Sequence, residues 1–214
     1  MNVTIRDATP SDAPFLAWVM QTAARSHRPL CFWDLAFPGP DAPRLEYIAA
    51  MAVAEPRSFS HYSGFLVAEH EGRPVAGLSA YDSASKGMAE FIGSLIATIA
   101  ARGWSAEHQQ LLAARIAPAG TCMPDSPPGV WVVEWVAATP AARGKGVANA
   151  LLRAILERGR ATGYTRAQIG YLIGNTPAQT AYERVGFETV DEKRHPDFEA
   201  TFGSPGIARM VREI

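Results

Sequence analysis

The feature that most constrains the fold is a glycine-rich turn at residues 143–148, Arg-Gly-Lys-Gly-Val-Ala. The residues before it, 130–138, are apolar apart from Glu134, which is typical of a strand buried on both faces. The residues after it repeat at the spacing of one helix face, at Val147, Ala150, Leu151, Ala154 and Ile155. This order predicts a buried strand, a tight turn and an amphipathic helix that packs back on the sheet.

The same turn has the chemistry of an anion-binding site. The first N–H groups of a helix have no partner inside the helix and lie at the positive end of its dipole. Glycine at 144 and 146 lets a phosphate approach the backbone closely. The turn is not a P-loop, because no Gly-Lys-Ser/Thr follows at the required distance, and it lacks the third glycine of a dinucleotide fingerprint. A plain turn without a ligand is the alternative that these six residues leave open.

Strands and helices alternate along the chain. We predict strands at 3–6, 64–69, 74–81, 130–138, 167–173, from 187 onward and at 208–213. Between the third and the fourth strand, residues 85–129 carry two helical patterns and a loop with four prolines. We interpret 85–129 as a helical insertion or lid, because such a long segment is unusual between neighbouring strands. Residues 31–43, rich in aromatic residues and proline, are expected to form a connection.

Composition argues against several classes of function. The 214 residues carry a net charge of −1 and no basic block, so we expect no nucleic-acid partner. The two cysteines and five histidines lack metal-ligand spacing, so we expect no metal. The chain has no run of about 18 apolar residues and no apolar segment at its start. We therefore expect no membrane span and a cytoplasmic location.

A second motif follows the turn after about one helix and one strand. It consists of Asn175, Ala178, Tyr182-Glu183-Arg184 and Gly186-Phe187. Together with Arg143, Gly146 and Ala148, it resembles the GNAT superfamily of acetyl-CoA-dependent N-acetyltransferases. The residues at 5–12 also look like the opening strand and helix cap of that family.

The resemblance implies an α/β fold with a mixed, mostly antiparallel central sheet flanked by helices. The helical insertion at 85–129, between the third and fourth strands, lies outside the family pattern. We expect a single N-acetyltransferase domain over 1–214, with the acetyl-CoA-binding core at 130–190. Homodimers are common in the family, so a homodimer is possible, although the sequence shows no surface for one.

The resemblance also implies which residues bind acetyl-CoA. The pyrophosphate is assigned to the turn and the helix start, at Arg143, Gly144, Lys145, Gly146, Val147 and Ala148. The pantetheine arm is assigned to the free edge of the preceding strand, at Val136, Ala137 and Ala138. Asn175 can hydrogen-bond the same arm. It can also cap the helix that it precedes, and the two roles are compatible.

Two residues are candidates for proton transfer. Glu134 is a carboxylate inside an apolar strand, where burial raises a pKa toward that of a general base. An ion pair with an arginine, or a position facing solvent, is the structural alternative. Tyr182 matches the general-acid tyrosine of the family, and a core tyrosine is its alternative. A backbone N–H at 136–138 is the simplest donor to the oxyanion.

The acceptor is expected to be a primary amine of a small molecule or peptide. We expect direct transfer, because Cys31 and Cys122 have no His–Asp pattern nearby for a covalent route. Trp33 and Asp34 lie where acceptor loops fall in the family fold, and Asp34 could pair with an ammonium; packing is the alternative for this segment. Two other functions stay open: an acyl-CoA sensor without catalysis, and an N-acyltransferase for a longer acyl chain.

Overall fold

The computed structural model describes all 214 residues, and its seven strands form one sheet. The strands are β1 (Thr4–Asp7), β2 (Phe65–His70), β3 (Arg73–Asp82), β4 (Trp131–Ala138), β5 (Arg166–Leu172), β6 (Glu188–Arg194) and β7 (Gly206–Glu213). Their order across the sheet is β1-β2-β3-β4-β5-β7-β6. Only β4 and β5 are parallel, and every other neighbouring pair is antiparallel. The expected mixed, mostly antiparallel sheet is confirmed.

Helices cover both faces of the sheet. They are α1 (Ala13–Arg25), α2 (Phe32–Ala36), α3 (Asp41–Met51), α4 (Ser83–Lys86), α5 (Met88–Ala100), α6 (Ala106–Gly120), α7 (Val147–Ala161), α8 (Thr176–Glu183) and α9 (Pro196–Phe202). One core contains side chains of α1, α2, α3 and α5, and a second contains those of α7 and α8. No helix is long and apolar enough to cross a membrane.

The segment between β3 and β4 is helical, as predicted, but its bounds differ. α4 begins at Ser83, and α6 continues to Gly120, two residues past Pro118, so the proline-rich loop is shorter than expected. Ser105 caps α6 by accepting a hydrogen bond from the backbone N–H of His108 at 3.3 Å. Pro118 has no N–H to donate to the carbonyl of Ala114, so the last turn of α6 has one hydrogen bond fewer than a regular helix.

α5 belongs to the core of the molecule. Phe91, Leu95 and Ile99 are buried among the aromatic side chains of α2 and the loop before β2. Three further apolar residues at helical spacing in this segment, Met88, Ile92 and Ile96, are exposed on the outer face of the helix. The helix is thus anchored along one face, and its role as a lid stays a prediction.

Two short helices were not predicted. α2 lies inside the expected connection at 31–43, and α9 joins β6 to β7. α2 has five residues, too few for a helical repeat to show in the sequence. α9 has a recognisable start at Pro196 and ends at Gly203, whose φ is +69°. Those end signals, read together, would have identified α9.

Candidate active site

A bulge interrupts β4 in its second half. Ser79 of β3 is paired with Glu134, and Gly77 with Ala137, so two residues of β4 face one residue of β3. Trp135, in the bulge, has a φ of +56°, an uncommon conformation for a residue with a side chain. A bulge bends its strand and increases the local twist. The direction of β4 therefore changes directly after Glu134.

β4 and β5 separate at this bulge. Their parallel pairing runs from Trp131 with Ala167 to Val133 with Ile169 and ends there, although β4 continues to Ala138 and β5 to Leu172. β4 stays attached to β3 on its other side, through Ala137 with Gly77 and the next pair. The edge of β4 at 134–138 is consequently unpaired on the side that faces β5. We call this opening the β4–β5 cleft.

The glycine-rich turn lies at the end of the cleft, directly before α7. Gly144 and Gly146 have φ values of +71° and +76°, which glycine adopts without strain. A Cβ atom at either position would meet nothing within 4 Å, so space beside the backbone is open. The N–H groups of 144 and 146–148 have no backbone acceptor. Four unpartnered donors at a helix N-terminus fit a phosphate group.

The side chains around the turn differ in what they can offer a ligand. Arg143 is exposed and its Nε donates to the carbonyl of Ala138 at 3.2 Å, which ties the turn to the end of β4. Lys145 is exposed. Val147 is buried in the core against the sheet, so it has only its backbone N–H to offer. Ala148 is partly buried.

Glu134 begins the unpaired part of β4. Its side chain is only partly exposed, and burial raises the pKa of its carboxyl to about 7, although the backbone N–H of Trp135 opposes the shift. No arginine or lysine pairs with Glu134, which removes the ion-pair alternative. A carboxyl with a pKa near 7 is partly ionised at neutral pH, and its ionised form is a stronger base than an ordinary carboxylate.

Tyr182 lies on α8, with its ring between Tyr171 and Phe187 at centroid distances of 6.5 Å each. It is 7% exposed, and burial together with the negative charge of Glu134 raises its pKa above the usual value. The phenol therefore stays protonated at neutral pH. Glu134, 48 residues earlier in the sequence, contributes to this shift. The ring of Tyr182 lies at the β4–β5 cleft, because it packs against Tyr171, which is on β5 beyond the last residue paired with β4.

Asn175 caps α8. Its Oδ1 accepts the backbone N–H of Ala178 at 3.1 Å, and its Nδ2 donates to the hydroxyl of Ser26 at 2.5 Å. The helix-cap role that the sequence left open is therefore present. The second bond also joins the loop after β5 to the end of α1, because Ser26 directly follows that helix.

Trp33 and Asp34 are both structural in this conformation. Trp33 is fully buried, with its ring 5.7 Å from that of Trp135. The carboxylate of Asp34 is 7% exposed and pairs with Arg25 at 2.6 Å and Arg44 at 2.9 Å. Burial would raise the pKa of Asp34, but the hydrogen bonds and charge of Arg25 and the bonds from Cys31 hold it below its usual value. Asp34 thus has no free oxygen directed at a ligand.

Sequence reasoning did not single out Trp135 or Ser26. Trp135 supplies the backbone conformation that opens the cleft, and Ser26 connects α1 to Asn175. No local signal marks either one, since both roles depend on contacts between distant parts of the chain. No group of three or more His, Cys, Asp or Glu side chains is arranged to hold a metal ion.

Comparison with known proteins agrees with this geometry. The sequence profile of the Acetyltransferase (GNAT) family matches residues 30–187, which include β4, the turn and α8. The chain belongs to the GNAT acetyltransferase family. A search of curated proteins finds no match for this GNAT protein.

Solved acetyltransferase structures share its fold at low sequence identity. An N-acetyltransferase from Staphylococcus aureus Mu50 is 18% identical with a TM-score of 0.70, covering 98% of this chain and 100% of the other. An agmatine N-acetyltransferase is 16% identical with a TM-score of 0.57, covering both chains fully. The aminoglycoside acetyltransferase AAC(6')-Ib, in complex with coenzyme A, is 19% identical with a TM-score of 0.57, covering 99% and 95%.

Proposed function

We propose that this protein transfers the acetyl group of acetyl-CoA directly to a primary amine of a small molecule or peptide. The observation that carries the proposal is the β4–β5 cleft, which has unpartnered N–H groups at one end and Glu134 and Tyr182 beside it. Membership of the GNAT family supports acetyl transfer. Similar folds that act on agmatine and aminoglycosides support an amine as the acceptor.

The residues fit acetyl-CoA in two places. The N–H groups of Gly144, Gly146, Val147 and Ala148 would bind the pyrophosphate, with charge added by Arg143 and Lys145. The unpaired edge of β4 at Val136, Ala137 and Ala138 would pair with the amides of the pantetheine arm, as a neighbouring strand does. Asn175, at the far side of the cleft, keeps a hydrogen of its amide for the same arm.

Acetyl-CoA supplies the acetyl group as an activated thioester. Glu134 takes a proton from the ammonium of the acceptor, directly or through a water, so that the nitrogen lone pair can attack. A backbone N–H within Val136 to Ala138 that points into the cleft stabilises the negative charge that develops on the carbonyl oxygen. Tyr182 then gives its proton to the departing sulfur as the carbon–sulfur bond breaks. The new amide nitrogen loses its second proton to the Tyr182 phenolate, which restores the phenol. The products are then the new amide, free CoA thiol and protonated Glu134.

Direct transfer is also supported by the state of the two cysteines. Burial, followed by the bond to Asp34, raises the pKa of Cys31 to about 12. A thiol with that pKa has almost no nucleophilic thiolate at neutral pH. Cys122 is fully buried against α9. Neither cysteine is thus available to carry the acetyl group.

Calorimetry with acetyl-CoA, followed by thiol-release measurements with a panel of amines, tests the proposal. We expect binding of acetyl-CoA and release of thiol that depends on an amine. A protein that does not bind acetyl-CoA would contradict the proposal entirely. Binding without amine-dependent thiol release would favour an acyl-CoA sensor instead. Faster turnover with longer acyl-CoA thioesters would favour an N-acyltransferase of different chain preference.

A further inference from the structure

Arg28, three residues after α1, is an arginine without a partner. Its side chain is partly buried, and its Nε is buried with no hydrogen-bond acceptor. Every other arginine that is at least partly buried forms an ion pair or donates to a carbonyl: Arg6, Arg25, Arg44, Arg158, Arg209 and Arg212. A buried, unpartnered donor costs free energy, and the cost is larger when the group is charged. The Nε of Arg28 therefore has a hydrogen bond left to donate.

The position of Arg28 is beside the β4–β5 cleft. α1 packs on β4, and the bond from Asn175 to Ser26 ties the end of α1 to the loop after β5. A Cβ atom added to Gly174 in that loop would lie 3.8 Å from Arg28 Nη2, and one added to Gly203 would lie 3.9 Å from Nη1. The guanidinium thus lies against the backbone of two loops, next to the residue that caps α8.

Other unpartnered donors lie on the same side of the sheet. Three buried side-chain nitrogens lack an acceptor: Arg28 Nε, Trp33 Nε1 and Trp135 Nε1. The two indole rings are in contact, and Trp135 follows Glu134 directly. The acidic side chain of this region, Asp34, is already neutralised by Arg25 and Arg44. This side of the sheet thus has buried donors without acceptors, and Asp34 is not available to pair with a second ammonium.

We infer that the amine acceptor carries a carboxylate and that Arg28 binds it. A guanidinium binds a carboxylate through two parallel hydrogen bonds, a geometry that the ammonium group of a lysine does not offer. The inference rests on the proposed amine acetylation and specifies its substrate class: amino acids or similar compounds, with the ammonium near Glu134 and the carboxylate at Arg28. Polyamines, which have no carboxylate, are excluded as good substrates.

Matched acceptors test the class directly. Each amino acid is compared with its primary amide and with the amine left after removal of the carboxyl group, such as phenylalanine, phenylalaninamide and phenethylamine. Thiol release at saturating acetyl-CoA gives kcat and KM for each. We expect kcat/KM for the best amino acid to exceed that of its amide by about tenfold or more, mostly through KM, as the loss of a charged hydrogen bond would produce.

Variants of Arg28 connect the preference to this residue. Arg28→Gln should raise KM for the amino acid about tenfold or more and leave KM for the amide unchanged. Arg28→Lys should recover part of the preference, because the charge remains without the two-bond geometry. Arg153→Gln is the matched control, since Arg153 is exposed on α7 and outside the cleft. All three variants should unfold close to the wild-type temperature, because the side chain of Arg28 forms no hydrogen bond or ion pair with the protein.

Several results would overturn the inference. Equal turnover of the amino acid and its amide, or faster turnover of a diamine such as putrescine, would contradict the inference that the acceptor carries a carboxylate. The proposed acetylation would remain intact. Weaker acetyl-CoA binding in Arg28→Gln, measured by calorimetry, would reassign Arg28 to the other substrate. If no amine causes thiol release, the proposed function itself is contradicted. A titration of tryptophan fluorescence with amino acid and amide in the presence of CoA checks binding without turnover.

Discussion

At the scale of single residues, the proposed reaction divides its proton transfers between Glu134 and Tyr182 according to the protonation states that their surroundings favour. Burial raises both pKa values, but the consequence differs, because a carboxyl near 7 can ionise whereas the phenol cannot at neutral pH. The negative charge on Glu134 further favours the protonated form of Tyr182. Two groups whose pKa values are both raised by burial are thereby suited to opposite roles, base and acid.

Replacing Tyr182 by phenylalanine tests the acid role. Tyr182→Phe should lower kcat about 100-fold, as loss of a general acid does, and leave the affinity for acetyl-CoA unchanged because the buried ring is kept. Steady-state kinetics and calorimetry measure the two quantities. Tyr171→Phe removes the hydroxyl of the adjacent ring and should retain wild-type kcat. If both variants turn over at the wild-type rate, Tyr182 is a core residue only.

At the scale of elements, the N-terminus of α7 depends on a left-handed glycine. Gly146→Ala should destabilise the protein by about 1–2 kcal/mol, because the φ of +76° is unfavourable for a residue with a Cβ. It should also weaken acetyl-CoA binding, since the N–H groups proposed to bind the pyrophosphate would shift. Gly163→Ala is the control, with a φ of +94° just after the same helix and open space around it. Thermal unfolding and calorimetry should show a similar loss of stability in both variants and lost affinity only in Gly146→Ala.

The elements also show how far a sequence of this kind can be interpreted. The strand, turn and helix at 130–161 were predictable, because apolar spacing and glycine positions are local signals. The bulge at Trp135 was not, since it exists only in the pairing of β4 with β3, and its φ of +56° is not one that tryptophan favours. The role of Asp34 likewise depends on Arg25 and Arg44, which reach it from α1 and α3.

At the scale of the whole molecule, the base that the proposed reaction requires lowers the stability of the fold. The pKa of Glu134 is about 7 in the folded protein, against an ordinary value of 4.5, so the folded state binds the proton more tightly. Stability linked to Glu134 is therefore complete below about pH 4.5 and is lost as the pH rises to about 7. The loss at pH 8 is at most about 3 kcal/mol, from 1.36 kcal/mol for each pKa unit.

Glu134→Gln should consequently be more stable than the wild type at pH 8 and equal to it near pH 4. Glutamine has the same shape and no charge, so the difference between the two proteins isolates this carboxyl from every other titrating group. Thermal unfolding should show a rise in the unfolding temperature of about 2–4 °C for each kcal/mol of added stability in a chain of this size.

The same variant should lose acetyl transfer most strongly above pH 7, where the wild-type carboxylate is ionised. Glu188→Gln, at an exposed site on β6, should change neither property. A Glu134→Gln variant with unchanged stability at pH 8 would show that the carboxyl is solvated, and a general base with a pKa near 7 would then have to be sought elsewhere in the cleft.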